Sequence, residues 1–181
     1  MSIHCDELGL TQRSMNPDLF WIPGHWSGRL AVKTRPRGGD WLVDEAKGWR
    51  RAGIDVIVSL LEMDEVAQLD LAGEAEAAEE SNVRFVSFPI RDRGIPASTT
   101  AALSLITVIV DALRNGKNVA VHCRQGIGRS GMIAAGVLVN SGITPEQAIE
   151  TVSLARGRMI PETRGQRQWL NELPSERPLV A

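Results

Sequence analysis

The sequence predicts an α/β fold: a single domain with a mostly parallel central sheet and helices on both faces of that sheet. Short apolar runs suited to strands alternate along the chain with longer segments suited to helices. One run, 55–61, is almost continuously apolar, as in a strand that is buried on both faces. The length of 181 residues suits one domain with a substantial core. We expect residues 1–19 and 174–181 to be weakly ordered tails.

The first half of the chain predicts three strands and two helical regions. In order, we expect strands at 20–22 and 29–32, a helix at 41–52 with Asp40 as its N-cap and Gly53 after its end, a strand at 55–61, and a helix at 64–79 that Gly73 interrupts. We expect Trp41, Val43 and Trp49 of the first helix to pack in the core.

The second half predicts two more strands and four helices. In order, we expect a strand at 83–88, a loop at 89–96, a helix to 115 capped by Ser98 or Thr99 and ended by Gly116, a strand at 118–122, and helices at 129–140, from Thr144-Pro145 to Gly157, and at 163–173. In a parallel sheet the carboxyl ends of the strands share one edge, and ligands bind there.

The 118–122 strand leads into a glycine-bearing loop that reads His122-Cys-Arg-Gln-Gly-Ile-Gly-Arg-Ser-Gly131. A loop between a strand and a helix N-terminus points several backbone N–H groups at one place, and the helix end adds positive potential. This arrangement suits a phosphate. The expected phosphate-binding residues are Arg124, Gln125, Gly126, Ile127, Gly128 and Arg129.

Cys123 opens this loop and is the candidate nucleophile, because the anion hole beside it favours the thiolate form. Arg129 closes the loop after five intervening residues, and its planar fork can hold two phosphoryl oxygens. Ser130 can donate a hydrogen bond to the sulfur when the sulfur becomes a leaving group. The leaving alkoxide needs a proton, and Asp92 is the candidate acid because its loop follows a strand at the same edge.

These residues resemble those of a known family. The 122–131 segment looks like the signature loop of cysteine-dependent protein tyrosine and dual-specificity phosphatases, and 89–96 is similar to the general-acid loop of small dual-specificity and kinase-associated phosphatases. The resemblance covers about residues 29–173. It implies hydrolysis of phosphotyrosine, with phosphoserine and phosphothreonine as open alternatives, through a phosphocysteine intermediate. Asp92 would act first as acid and then as base, and no metal or organic cofactor is implied.

Two departures from that family bear on the substrate. Residues 162–166 match the glutamine-rich loop that positions the hydrolytic water in tyrosine-specific members, but Glu162 replaces the first glutamine. Gln166 is retained and is a candidate water-positioning residue. No tyrosine-bearing recognition loop is found, and Arg35 and Arg37 lie where a substrate loop is expected. Strict phosphotyrosine specificity is therefore not predicted.

Composition limits the other function classes. The formal net charge of −2 gives no bulk attraction for nucleic acid or for anionic membranes. No apolar run is long enough to span a bilayer, and the first residues do not resemble a signal peptide. The histidines and cysteines lack the compact spacing of a metal site. Cys5 and Cys123 are best interpreted as thiols of a cytoplasmic protein whose partner is a phosphorylated protein. The oligomeric state stays open.

Four alternatives remain beside a phosphoprotein phosphatase. A phosphoinositide phosphatase is ranked lower, because the loop offers only Arg124 besides Arg129 as a cation. An arsenate reductase would need more cysteines than Cys5. Sulfurtransferase loops of the rhodanese type are typically one residue shorter than this one. A non-catalytic phosphoprotein binder is disfavoured because the nucleophile and the arginine are both present.

Overall fold

The computed structural model describes residues 18–174. Cys5 and nearly all of the two predicted tails lie outside the described residues. The strands are β1 Leu19–Ile22, β2 Leu30–Lys33, β3 Val56–Ser59, β4 Arg84–Ser87 and β5 Val119–His122. The helices are α1 Leu42–Arg51, α2 Met63–Gln68, α3 Glu74–Glu80, α4 Thr99–Arg114, α5 Gly128–Asn140, α6 Pro145–Arg156 and α7 Arg164–Asn171.

The five strands form one sheet in the order β1-β2-β5-β3-β4, with β5 at its centre. Only β1 runs antiparallel to its neighbour, and the other three pairings are parallel. The carboxyl ends of β2, β3, β4 and β5 therefore share one edge of the sheet. The mostly parallel sheet that the sequence predicts is confirmed.

Helices cover both faces of this sheet, as predicted. Because successive strand residues point to opposite faces, each strand contributes to two cores. Val32, Val58 and Val121 belong to a core shared with α4, α5, α6 and α7. Ala31 and Ala120 belong to a second core shared with α1 and α3, where Trp49 is fully buried.

Local signals place several helix ends correctly. The Ser98 hydroxyl accepts a hydrogen bond from the backbone of Ala101 at 3.2 Å and starts α4. The Thr144 hydroxyl accepts from the backbone of Gln147 at 3.3 Å and starts α6. Gly157 ends α6 in the left-handed conformation, with φ of 69°. These caps depend on residues within one turn, so the sequence alone identifies them.

The start of α1 differs from the prediction. Asp40 is not an N-cap: it lies inside a 3₁₀ turn, Gly39–Trp41, and α1 begins only at Leu42, without a side-chain cap. The Gly39 N–H donates to the Asp70 carbonyl at 2.8 Å, which draws this segment toward the connection after α2. Trp41 is 52% exposed and stacks on Arg37, so the expectation that it packs in the core is wrong.

Val43 is exposed as well, and of the three residues expected in the core only Trp49 is buried. The buried face of α1 follows Leu42, Ala46 and Trp49, a spacing of four and then three residues that places all three side chains on one side of the helix. The following helical region breaks earlier than Gly73: α2 ends at Gln68, and Gly73 precedes the start of α3.

Candidate active site

The cysteine loop (residues 123–129) runs from the carboxyl end of β5 to the first turn of α5. Cys123 is 3% exposed, and its Sγ lies 3.4 Å from Oγ of Ser130. Gly126 has φ of 66°, and a Cβ there would lie 2.5 Å from the Lys33 carbonyl oxygen. Glycine is therefore needed for the loop to curl against β2. A Cβ at Gly128 would in turn collide with the carboxylate of Glu162.

A small pocket of about 120 Å³ opens at this edge of the sheet. Its lining residues are Asp92, Arg93, Cys123, Arg124, Gln125, Gly128, Arg129 and Glu162. The candidate nucleophile, the candidate acid and the loop-closing arginine thus come together from separate elements. Ser130 is buried beside the sulfur, Gly126 packs on β2 and Ile127 lines a neighbouring cleft. Gln166 does not line the pocket, whereas Glu162 does.

Arg129 is held by an acidic partner that the sequence analysis did not identify. Its Nη1 lies 2.6 Å from Oε2 of Glu65, and its Nη2 lies 2.9 Å from Oε1 of the same carboxylate. Nη1 also donates to the Ile90 carbonyl at 2.9 Å. This two-pronged contact fixes the plane of a guanidinium that is only 2% exposed.

The charges of this pair reinforce each other. Burial opposes the charge on Glu65, but hydrogen bonds from Arg129 and from the Glu62 backbone outweigh it, so the pKa of Glu65 lies below its ordinary value. Burial likewise opposes the charge on Arg129, and its contacts with Glu65, Cys123 and Asp92 raise its pKa. Arg129 therefore stays a fixed cation at the base of the pocket.

Asp92 lies on the acid loop (residues 89–96), directly after β4. Its side chain is 61% exposed, and Oδ1 lies 3.1 Å from Nη2 of Arg129. Its backbone N–H donates to Oε2 of Glu62 at 3.3 Å. The next residue, Arg93, has φ of 58°, so the chain turns sharply after Asp92. The carboxylate is thus accessible to solvent, while the Asp92 backbone is hydrogen-bonded to the residue that precedes α2.

Gln166 connects the acid loop to α7. Its Nε2 donates to the Gly94 carbonyl at 3.0 Å, and its Oε1 accepts from the Thr163 backbone at 3.3 Å. The side chain is fully buried and forms a capping box with Thr163. Nε2 thus anchors the acid loop and Oε1 caps the start of α7, so both polar atoms are engaged. The water-positioning role of Gln166 stays a prediction.

Three residues that contact the site were missed by the sequence analysis. Glu62 and Glu65 follow β3, which pairs directly with β5. Asp92 was selected because its loop follows a strand at the same edge of the sheet as Cys123, and the same reasoning applies to these two glutamates. No motif or spacing in the sequence pointed to Arg156. Its Nε donates to the Gly126 carbonyl at 2.8 Å and its Nη2 to the Gln125 carbonyl at 3.1 Å. These bonds hold the carbonyls of the cysteine loop.

A buried polar cluster lies behind the cysteine loop. Nδ1 of His122 is 3.4 Å from the Cys123 carbonyl oxygen. Its Nε2 lies 2.8 Å from Oε1 of Glu74, although the two atoms are not aligned as a hydrogen bond. Lys33 pairs with His122 across the sheet and is 2% exposed. Burial lowers the pKa of Lys33 to about 8, although Glu45 and Glu74 oppose the shift.

Between residues 18 and 174, no three His, Cys, Asp or Glu side chains are grouped so that they could hold a metal ion. No helix in the same part of the chain is long and apolar enough to cross a membrane.

Comparisons with known proteins agree on one family. Residues 33–143 match the family model described as polymorphic toxin system, DSP-PTPase phosphatase. The chain is 39% identical over 123 residues to mouse protein tyrosine phosphatase domain-containing protein 1. That match covers 63% of this chain and 16% of the mouse protein, so the chain spans a small part of this curated relative.

Solved structures show the same fold. A kinase-associated phosphatase with serine in place of its catalytic cysteine superposes with a TM-score of 0.79 at 21% identity, covering 86% of this chain and 93% of its own. The active form of Tk-PTP superposes with a TM-score of 0.71 at 29% identity, covering 88% and 97% of the two chains.

Proposed function

The chain belongs to the DSP-PTPase phosphatase family, and on that premise we propose that it hydrolyses phosphate monoesters on proteins through a phosphocysteine intermediate. The proposed substrates carry phosphotyrosine, and phosphoserine or phosphothreonine remain open. The observation that carries the proposal is the convergence of Cys123, Arg129 and Asp92 around one pocket of about 120 Å³.

In the proposed first step, the Cys123 thiolate attacks phosphorus and the bond between phosphorus and the leaving oxygen breaks. Asp92 gives its proton to that oxygen, and a phosphocysteine remains. Arg129 and the amides of the cysteine loop stabilise the equatorial oxygens. Two observations support this role of Arg129. Its Nε makes no hydrogen bond within the described part of the chain, and the Glu65 carboxylate binds Nη1 and Nη2 at the far end of the guanidinium.

In the proposed second step, water attacks phosphorus while Asp92 takes its proton. The sulfur–phosphorus bond breaks and its electron pair returns to Cys123, where Ser130 can donate a hydrogen bond at 3.4 Å. Inorganic phosphate is then released. Gln166 is proposed to orient the water, after exchanging its bond to the Gly94 carbonyl for one to the water. No cofactor takes part in either step.

We also propose that the protein acts in the cytoplasm on phosphorylated proteins, since Cys123 must stay reduced to react. The comparisons favour neither an arsenate reductase, nor a sulfurtransferase, nor a non-catalytic binder. The matched relatives and structures cited above are phosphatases. A phosphoinositide substrate is the remaining alternative, and an assay that compares phosphoinositides with phosphopeptides would distinguish it from a phosphorylated protein.

Replacing Cys123 by serine is the direct test. Hydrolysis of p-nitrophenyl phosphate is expected to fall by more than about 1,000-fold, because serine is not ionised near neutral pH. The variant should still bind inorganic phosphate, since the amides and Arg129 remain. Cys5→Ser is the matched control and should keep full activity. Retained activity in the Cys123→Ser variant would exclude the phosphocysteine mechanism.

Replacing Asp92 by asparagine tests the acid. The rate with a poor leaving group such as phenol should fall about 100-fold, because its oxygen needs the proton. The rate with a good leaving group should fall much less. Asp64→Asn is the control, because Asp64 is exposed and lies outside the pocket. Equal slowing with both leaving groups would remove Asp92 from the acid role.

A further inference from the structure

The residue that precedes α2 connects the acid loop to the arginine of the cysteine loop. Oε2 of Glu62 accepts a hydrogen bond from the Asp92 backbone N–H at 3.3 Å. The backbone N–H of Glu62 donates to Oε2 of Glu65 at 3.1 Å, and that same oxygen binds Nη1 of Arg129 at 2.6 Å. None of the mechanistic steps above uses Glu62.

These contacts close a ring of four residues: Glu62, Glu65, Arg129 and Asp92. The last side of the ring is the contact of 3.1 Å between Nη2 of Arg129 and Oδ1 of Asp92. Asp92 is therefore held at two points, by its backbone N–H and by its carboxylate, and the two contacts come from different elements. Contacts at two separate atoms restrict the direction of the side chain far more than one contact does.

The other anchors of the acid loop hold the residues on either side of Asp92. Before it, the Ile90 N–H donates to the carbonyl of the residue after β3 at 3.1 Å. After it, two side chains at the start of α7 donate to the carbonyls of Arg93 and Gly94, at 3.4 and 3.0 Å. Within residues 18–174, the Asp92 N–H donates to Glu62 and to no other group. Glu62 thus holds the one peptide N–H that belongs to the acid itself.

This backbone contact keeps its strength when Asp92 acts as the acid. A general acid must carry its proton and lie within hydrogen-bond reach of the leaving oxygen. The contact with Arg129 is an ion pair, so it weakens when the Asp92 carboxyl is protonated. The bond from the Asp92 N–H to Glu62 does not involve the Asp92 side chain, so protonation leaves it in place. Because the side chain is 61% exposed, packing restrains it little.

We propose that Glu62 is a positioning residue for the general acid: it holds the Asp92 backbone so that the protonated carboxyl points at the leaving oxygen. The inference rests on the proposed function. The alternative is that Glu62 acts only as the N-cap of α2. A cap alone would change stability and would slow the enzyme equally with every substrate, whereas a positioning residue acts where the leaving oxygen needs a proton.

The first test measures kcat/KM of Glu62→Ala with phenyl phosphate and with p-nitrophenyl phosphate. This parameter reports the steps up to formation of the phosphocysteine, in which the leaving oxygen departs. We expect about a tenfold fall with phenyl phosphate, equivalent to one lost hydrogen bond, and less than about a twofold fall with p-nitrophenyl phosphate. Equal falls with both esters, or no fall with either, would overturn the proposal.

Two matched variants separate the hydrogen bond from helix stability. Glu62→Gln keeps an oxygen that can accept from the Asp92 N–H, so its kcat/KM with phenyl phosphate should stay within about threefold of wild type. A loss as large as in Glu62→Ala would contradict the role of this acceptor. Thr144→Ala removes the cap of α6, outside the pocket, and should leave the ratio of the two kcat/KM values unchanged. An equal change of that ratio would assign the effect to stability.

A double-mutant cycle tests whether Glu62 acts through Asp92. Asp92→Asn keeps the backbone N–H and removes the acid. Adding Glu62→Ala to Asp92→Asn should lower kcat/KM with phenyl phosphate by less than about twofold more, because no proton is left to place. A further fall of about tenfold in the double variant would show that Glu62 acts independently of Asp92, and the proposal would be wrong.

Hydrogen exchange separates the failure of this inference from the failure of the proposed function. If the wild type hydrolyses neither ester, the proposed function is refuted, and NMR exchange of the Asp92 N–H then tests the backbone contact by itself. The exchange rate should be about tenfold higher in Glu62→Ala than in wild type, and unchanged in Thr144→Ala. The same rate in Glu62→Ala and wild type would overturn the inference.

Discussion

Lys33→Met perturbs the buried cation behind the cysteine loop. Nζ of Lys33 donates to the Thr34 carbonyl at 2.6 Å and lies 5.5 Å from the ring of Trp49. Burial lowers the pKa of Lys33 from 10.5 to about 8, while Glu45 and Glu74 oppose the shift. The folded chain therefore releases this proton at a lower pH than the unfolded chain does.

The magnitude follows from the size of this shift. A fall from 10.5 to about 8 is about 2.5 pKa units, and each unit corresponds to about 1.36 kcal/mol, so the total is about 3 kcal/mol. Below pH 8 both the folded and the unfolded chain hold the proton, so the folded chain carries the free-energy cost of burying a charged amine. Between pH 8 and 10.5 the unfolded state binds more protons, so the free energy of unfolding rises with pH. Above 10.5 the gain is complete.

The assay is urea unfolding of the wild type and the Lys33→Met variant at several pH values from 7 to 11. The difference in free energy of unfolding, wild type minus variant, should rise by about 3 kcal/mol across the window. The chain contains no tyrosine, so no phenol titrates in this range. Lys117→Met, at an exposed position, is the control and should produce no such rise. Parallel curves for the wild type and Lys33→Met would refute the reasoning.

Two further substitutions test how the site is held. Glu65→Gln should lower the free energy of unfolding by about 3 kcal/mol, because it removes the buried carboxylate that binds both terminal nitrogens of Arg129. Urea unfolding measures this change, and the exposed Asp64→Asn should change little. Arg156→Met removes two hydrogen bonds to carbonyls of the cysteine loop and should weaken competitive inhibition by inorganic phosphate about tenfold. An inhibition constant unchanged from wild type, or equally changed in Arg114→Met, would show that Arg156 does not order the loop.

Much of the fold was accessible from the sequence because its signals are local. The caps at Ser98 and Thr144 act within one helical turn, and the apolar runs of β3 and β5 are contiguous. The prediction at Asp40 was wrong because a contact from a distant segment, Gly39 to Asp70, displaces the helix start. Propensity describes a segment in isolation and does not include such contacts.

The candidate site, like the fold, has one part that local sequence determines and another part that depends on tertiary contacts. Cys123, Arg129 and Ser130 fall within eight consecutive residues, so their spacing alone determines that a thiol, an arginine and a hydroxyl surround one loop. Tertiary structure decided what surrounds that loop. It places Glu65 against an arginine that is 64 residues away in sequence, and it places Arg156 on the outer carbonyls of the loop. The strand order brings the ends of β2 and β3 to either side of β5, and hydrophobic periodicity carries no information about that order.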